Sequence, residues 1–95
     1  SESIVSEGTA TSPTITVTFG PDSLIVTWTA VADVGQQYQF RTRERGQSWM
    51  QEKIVGSLEK TITDLNPSSY LRIQVRAKIS GSWNAWNEVT VPASD

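Results

Sequence analysis

The stretch that decides the fold is LRIQVRA at residues 71–77, in which apolar and polar side chains alternate without a break. A period of two is typical of a β-strand with one buried face, whereas a helix repeats its apolar residues about every 3.6 positions. The same alternation occurs in ITVTF at residues 15–19, in LIVTW at 24–28 and in YQFRT at 38–42. The chain is therefore predicted to be built from half-buried strands.

Three further segments complete the strand pattern. They are residues 49–54, 60–65 and 88–91, and clusters of Gly, Pro, Asn, Asp and Ser separate neighbouring segments. Short strands with a turn signal after each predict an all-β fold, a seven-stranded antiparallel sandwich of two sheets. The apolar positions that point inward form the predicted core, which consists of Val17, Leu24, Val26, Trp28, Tyr38, Phe40, Ile62, Leu65, Leu71, Ile73 and Val75.

The length of 95 residues allows one domain. Residues 1–12 are small and polar except for one apolar pair, and residues 92–95 have a similar character. These two segments are predicted to be linkers, and residues 13–91 are predicted to be the folded domain. Linkers at both ends indicate one module of a larger multidomain polypeptide, whose neighbouring domains are the first expected partners.

The composition argues against catalysis and against several classes of ligand. The sequence has no His and no Cys, which removes the usual general base, the thiolate nucleophile and the commonest metal ligands. We therefore expect a protein that is not an enzyme and that uses no metal and no cofactor. The net charge of -2 gives no overall attraction to nucleic acid, and no apolar run reaches the roughly 20 residues that span a membrane. We expect neither nucleic-acid binding nor membrane insertion.

The basic residues are unevenly distributed along the chain. Most of the eight Lys and Arg residues lie on or next to two strands that the sandwich would pair, and they are out of phase with the core. The candidate site is a surface strip of cation–π contacts made of Arg41, Arg43, Arg72, Arg76, Trp83 and Trp86. One interpretation is a self-contained stack that rigidifies the sheet. The other is a binding surface for an anionic or protein ligand.

The spacing of the two tryptophans sets a structural condition on this strip. Trp83 and Trp86 are three residues apart, so a regular strand would put them on opposite faces. Both can cover the arginines only if the backbone between them is irregular. Trp49 is close enough in the predicted topology to join them, whereas Trp28 is in phase with the core and is predicted to be buried.

The chain resembles a fibronectin type III domain in three places. SLIVTW at residues 23–28 is similar to the second strand of that family, which carries a buried tryptophan. LNPSSYL at 65–71 resembles the corner between its fifth and sixth strands, and LRIQVRA at 71–77 resembles its sixth strand. The family usually has a tyrosine four residues after the corner proline, whereas Tyr70 follows Pro67 by three. The resemblance implies a fibronectin type III, immunoglobulin-like sandwich over nearly the whole chain.

Two subfamily resemblances point to different sources. WNAWN at residues 83–87 resembles the Trp-Ser-x-Trp-Ser box of class I cytokine receptors, which stack arginines of the sixth strand between the two tryptophans. YQFRTR at 38–43, with Gly46 and Trp49, resembles the fibronectin-type modules of phage tail-tip host-specificity proteins, and bacterial secreted glycosidases and adhesins carry similar modules. Asparagine at both serine positions of the box, and the lack of an N-glycosylation sequon, favour a phage or bacterial source.

These resemblances imply a binding or structural role. The first candidate is a rigid spacer module of a phage tail or of a bacterial surface or secreted protein, extracellular or in the virion tail. Its loops could bind a protein or cell-surface ligand. The second candidate is the ligand-binding domain of a cytokine-type receptor. The third is a carbohydrate-contacting accessory domain of a secreted glycosidase, which would use exposed tryptophans.

Overall fold

A computed structural model of the chain describes residues 2–31, 37–49, 53–63 and 70–92. The described residues form strands and no helix. The strands are β1 (Ser3–Ser6), β2 (Ile15–Phe19), β3 (Leu24–Trp28), β4 (Tyr38–Glu44), β5 (Lys53–Val55), β6 (Glu59–Ile62), β7 (Leu71–Ile79), β8 (Ser82–Trp83) and β9 (Asn87–Val91).

The strands form two antiparallel sheets. The first sheet has the order β1-β2-β3-β6. The second has the order β5-β4-β7, with β8 and β9 both pairing with β7. The predicted all-β sandwich is confirmed, but the described strands number nine rather than seven. The additional strands are β1 and the two-residue β8, and neither is long enough to give a visible alternation in the sequence.

The core lies between the two sheets and consists of the inward side chains of both. Eight predicted core residues are buried: Val17, Leu24, Val26, Trp28, Tyr38, Phe40, Ile73 and Val75. Ile62 and Leu71 are half-buried at its edge, and Leu65 lies outside the described residues. The Trp28 ring packs 6.0 Å from Tyr38 and 5.9 Å from Phe40, measured between ring centroids, and so joins the two sheets.

Strand β1 lies in the segment for which the sequence predicts a linker. It pairs with β2 along its whole length, from Ser3 opposite Thr18 to Ser6 opposite Ile15. Ile4 packs against the core, while Val5 is exposed. Residues 3–6 are therefore an edge strand of the first sheet and not a free tether. Most of the predicted C-terminal linker, residues 93–95, lies outside the described residues.

A two-residue hairpin turn connects β7 to β8. Ile79 pairs with Ser82, so Ser80 and Gly81 form the turn, and both have positive φ angles, 52° and 80°. Two left-handed residues in a two-residue loop match the right-handed twist of the flanking strands. The turn returns the chain along the edge of β7 and brings Trp83 opposite Lys78.

Candidate functional site

The outer face of the second sheet carries alternating cations and indole rings. The Nζ atom of Lys78 lies 5.8 Å from the centre of the Trp83 ring. The guanidinium carbon of Arg76 lies 5.2 Å from the centre of the Trp83 ring and 4.4 Å from that of Trp86. Arg76 therefore contacts two tryptophans at once.

Arg41 continues this arrangement toward the next tryptophan. Its guanidinium carbon lies 4.1 Å from the Trp86 ring centre and 4.4 Å from the Trp49 ring centre. The guanidinium carbon of Arg43 lies 5.3 Å from the centre of the Trp49 ring, and this contact is the last of the series. Such contacts contribute about 0.5–1 kcal/mol each at exposed sites and about 2 kcal/mol when desolvated. We call the set the aromatic stack, and it consists of Lys78, Trp83, Arg76, Trp86, Arg41 and Trp49.

Two glutamines fix the orientation of the stacked arginines. The register of β4 and β7 places Gln74 opposite Arg41 and Gln39 opposite Arg76. Arg41 Nε donates a hydrogen bond to Gln74 Oε1 at 2.7 Å, and Arg76 Nε donates one to Gln39 Oε1. Gln74 Nε2 then donates to Glu88 Oε1 on β9 at 2.8 Å. Because a hydrogen-bonded guanidinium is held in its plane, these bonds keep the flat faces of both arginines toward the indoles.

An extra residue brings Trp83 and Trp86 to the same face of the sheet. β8 and β9 follow the same edge of β7, and between them residues 84–86 lie opposite only residues 76–77. This two-strand mismatch of three residues against two is a β-bulge, which reverses the alternation of side chains. Two tryptophans three positions apart can therefore both contact Arg76.

The N-terminal segment holds the bulge from its other side. Ser12 Oγ donates a hydrogen bond to the Ala85 carbonyl oxygen at 3.0 Å. Asn87 Nδ2 donates to the Pro13 carbonyl oxygen at 2.7 Å and to the Ser6 carbonyl oxygen at 3.0 Å. Ala85 in the bulge and Asn87, which follows the bulge, are thus held by a segment that lies outside the second sheet.

The other end of the same face is arranged differently. Arg72 lies directly opposite Arg43 in the register of β4 and β7. Arg45 lies over the Tyr70 ring at 5.4 Å, and its backbone N–H donates to the Tyr70 carbonyl oxygen at 3.2 Å. Together with Gly46 these residues line a small concave site. We call Arg43, Arg45 and Arg72 the arginine cluster.

Of the residues in the predicted strip, Arg72 is the one that the structure places away from the tryptophans. The other five, Arg41, Arg43, Arg76, Trp83 and Trp86, lie in or beside the aromatic stack. Lys78 and the two glutamines are not in that strip, although a signal for the glutamines was available. Gln-x-Arg occurs at both 39–41 and 74–76, and antiparallel pairing of the two copies puts each glutamine opposite the other copy's arginine.

The described part of the chain shows no cluster of His, Cys, Asp or Glu that could hold a metal ion. Within the same residues, no helix has the length and apolar character needed to cross a membrane. The chemistry that the face offers is that of fixed guanidinium groups, indole rings and amides. It can stack, donate hydrogen bonds and attract anions.

No family model and no curated protein matches the sequence. Solved structures do match its fold. One is a myokine, with a TM-score of 0.70 and 14% identity over 90% of this chain and 98% of that chain. Another is the FN3 domain of human collagen XX, with a TM-score of 0.62 and 17% identity over 90% of this chain and 96% of that chain. At these identities the likeness concerns the fold.

Proposed function

Because the chain has the fold of a fibronectin type III domain, we propose that it is a non-catalytic module of a larger multidomain protein, acting as a rigid spacer and scaffold. In this role it orients neighbouring domains of the same polypeptide and presents its loops to a protein or cell-surface ligand. A phage tail or a bacterial surface or secreted protein is the context that the sequence resemblance favours. The corresponding location is extracellular or in the virion tail.

The observation that carries this proposal is that the aromatic stack is made from the chain's own groups. Arg41 and Arg76 each contact two indole rings, and each donates from Nε to a glutamine on the neighbouring strand. A surface shaped for an external ligand would leave these groups available to it. Here they join β4, β7, the bulge and Trp49 into one unit, which favours a rigid body.

The strand ends favour the orienting and presenting part of this role over the separation of two neighbours. The contact of Trp28 with Tyr38 puts the end of β3 and the start of β4 at one end of the sandwich. Ser3 is paired near the end of β2 and Val91 near the start of β7, which are both at the opposite end. Any chain continuing beyond both strands would enter and leave there. The turn at residues 80–81 would then lie at the far tip.

The stack also bears on the two alternative functions. A carbohydrate-contacting domain needs free indole faces, whereas Trp83 and Trp86 are half-buried and are contacted by Arg76. The position of Arg76 between these two rings is the observation that favours the cytokine-receptor alternative, because it is what the resemblance to the receptor box implies. Saturable binding of a helical cytokine to the intact chain would establish that alternative.

Backbone ¹⁵N relaxation tests the rigid-module proposal. We expect order parameters of about 0.85 for residues 82–87, equal to those of β4 and β7, since this value is typical of rigid backbone. Arg76→Ala should lower the order parameters of residues 82–87, whereas the control Lys60→Ala on the first sheet should leave them unchanged. Wild-type values below about 0.6 for this segment would reject the proposal.

A further inference from the structure

We infer that the arginine cluster binds a compact tetrahedral oxyanion, phosphate or sulfate, in the concave site between Arg43, Arg45 and Arg72. This inference goes beyond the scaffold role, and its failure would leave that role intact. It rests on the shape of the site, on the charges that meet there and on the missing partners of those charges.

The site has the shape and size for a small anion. It is lined by Arg43, Arg45, Gly46, Tyr70 and Arg72, and it has a volume of about 100 Å³. One water molecule needs roughly 10–15 Å³ on the same measure, so this open site has room for a larger group such as a phosphate or a sulfate. The turn that carries Arg45 is closed by a hydrogen bond from the Gln47 N–H to the Glu44 carbonyl oxygen at 3.0 Å.

The charges in the cluster are of one sign and lie close together. Arg43 and Arg72 are directly opposite on neighbouring strands, and like charges in this position destabilise a sheet. Thr90 is the residue opposite Arg72 on its other side, so β9 supplies no negative charge at that position. An anion placed between the guanidinium groups would remove this repulsion.

The cluster lacks the glutamine acceptors that the stacked arginines have, although Arg43 and Arg45 each lie beside an aromatic ring. In the part of the chain that the structure describes, no acidic side chain forms an ion pair with these three arginines, and the Nε atom of Arg43 is buried without an acceptor. Arg41 and Arg76, on the same strands, both donate from Nε to glutamine. Guanidinium groups with unused donors form strong, directed hydrogen bonds to phosphate and sulfate oxygens. We choose a tetrahedral anion because three guanidinium side chains line one small site and such an anion has an acceptor oxygen for each of them.

NMR titration tests the inference on the intact chain. Backbone and arginine side-chain ¹H–¹⁵N signals are followed while inorganic phosphate or sulfate is added, against sodium chloride at equal ionic strength. We expect saturable shifts confined to residues 43–46 and 70–72, with a dissociation constant on the order of millimolar, because few contacts are available to a free ion. Equal shifts with chloride, or shifts spread over all basic residues, would overturn the inference.

Two variants of equal charge make the test specific. Arg72→Gln should weaken phosphate binding about tenfold or more, because it removes a cation and its charge-assisted hydrogen bonds. Lys53→Gln removes the same charge from an exposed position on β5 and should leave binding unchanged. Equal weakening of phosphate binding in both variants would show that only the net charge of the protein matters, and this would overturn the proposed site. Phenyl phosphate and a glucose sulfate, tested in parallel, distinguish a phosphate ester from a sulfated sugar as the source of the anion.

Discussion

The aromatic stack and the arginine cluster lie on the same face of the same two strands, yet their cations have different surroundings. Arg41 and Arg76 each have two indole neighbours and a glutamine acceptor. Arg43, two residues beyond Arg41 on β4, and Arg72, four residues before Arg76 on β7, lie opposite each other. The difference arises at the residue opposite each arginine, which is glutamine in the stack and arginine in the cluster.

This comparison shows how the cross-strand partner changes the surroundings of an outward-facing arginine. An amide opposite a guanidinium accepts its Nε–H and leaves the flat faces for aromatic rings. A second guanidinium supplies no acceptor and adds repulsion. The stack should therefore contribute to the stability of the fold, whereas the cluster should not.

The largest effect sets the scale for a buried aromatic residue. Trp28→Ala should lower the free energy of unfolding by about 3–5 kcal/mol, because it empties the contact between the sheets. Trp83→Ala should cost clearly less, since that ring is half-buried on the outer face. Urea unfolding of both variants measures the difference. Comparable losses would show that the stack is as much a part of the core as Trp28, and the comparison would need to be redrawn.

The second prediction concerns the support of the stack by the N-terminal segment. A Cβ atom on Gly8 would lie 2.0 Å from the Ser12 carbonyl oxygen and 2.5 Å from the Pro13 carbonyl carbon, so Gly8→Ala must displace backbone. Overpacking of this kind costs about 1–3 kcal/mol. Since Ser12 and Pro13 bond to the bulge, tryptophan fluorescence should change as well.

Gly56→Ala is the matched control for this substitution. A Cβ atom there meets nothing within 4 Å, and its φ angle is not positive. The control should leave the fluorescence of the native state unchanged and should not lower the free energy of unfolding, which Gly→Ala at an unstrained position raises by about 0.4–1 kcal/mol. A neutral Gly8→Ala would mean that residues 8–14 can move without disturbing the stack, and the N-terminal support would then be unimportant.

The third prediction concerns the stack itself. Arg76→Ala should lower the free energy of unfolding by about 1 kcal/mol through the loss of its contacts with Trp83 and Trp86. Arg76→Lys should recover little of this, because an ammonium keeps the charge but has no flat face and no Nε–H for Gln39. A double-mutant cycle with Gln39→Ala should give a coupling energy above about 0.5 kcal/mol. If Arg76→Lys kept the full free energy of unfolding of the wild type, the contribution of Arg76 would come from its charge alone and not from stacking.

The sequence predicts the sheet face well because strand alternation is a local property. Positions 41, 43, 72 and 76 are out of phase with the core. Their place on the outer face therefore follows from the two-residue period of a strand. It does not predict which cations are stacked, since that depends on the β4–β7 register and on a bulge of one residue. Register is set by pairing between distant segments, which no single stretch of sequence displays.

The N-terminal strand was missed for a different physical reason. Residues 3–6 contain only Ile4 and Val5 as apolar residues, and so short a segment gives no measurable period. Its place in the sheet depends on pairing with β2 and on the hydrogen bond from Ser6 Oγ to the Glu88 carbonyl oxygen at 2.7 Å. Both are long-range contacts. Edge strands of this kind are visible only once their neighbours are in position.

The substitution with the smallest effect is the most informative. Loss of an arginine from the cluster should raise the free energy of unfolding, whereas loss of one from the aromatic stack should lower it. Arg72→Gln should raise the free energy of unfolding by a few tenths of a kcal/mol in a dilute buffer without phosphate or sulfate, since it removes the repulsion between Arg72 and Arg43. The part of the gain that comes from relieved repulsion should disappear near 1 M sodium chloride, where the Debye length is about 3 Å, whereas a hydrogen bond from Arg43 Nε to the new amide would persist. Added phosphate should reverse the order of stability, because an anion that binds only the folded wild type stabilises it by RT ln(1 + L/Kd), where L is the free phosphate concentration. A loss of 1 kcal/mol or more in the dilute buffer would mean that Arg72 stabilises the sheet as Arg76 does, and the distinction between stack and cluster would be wrong.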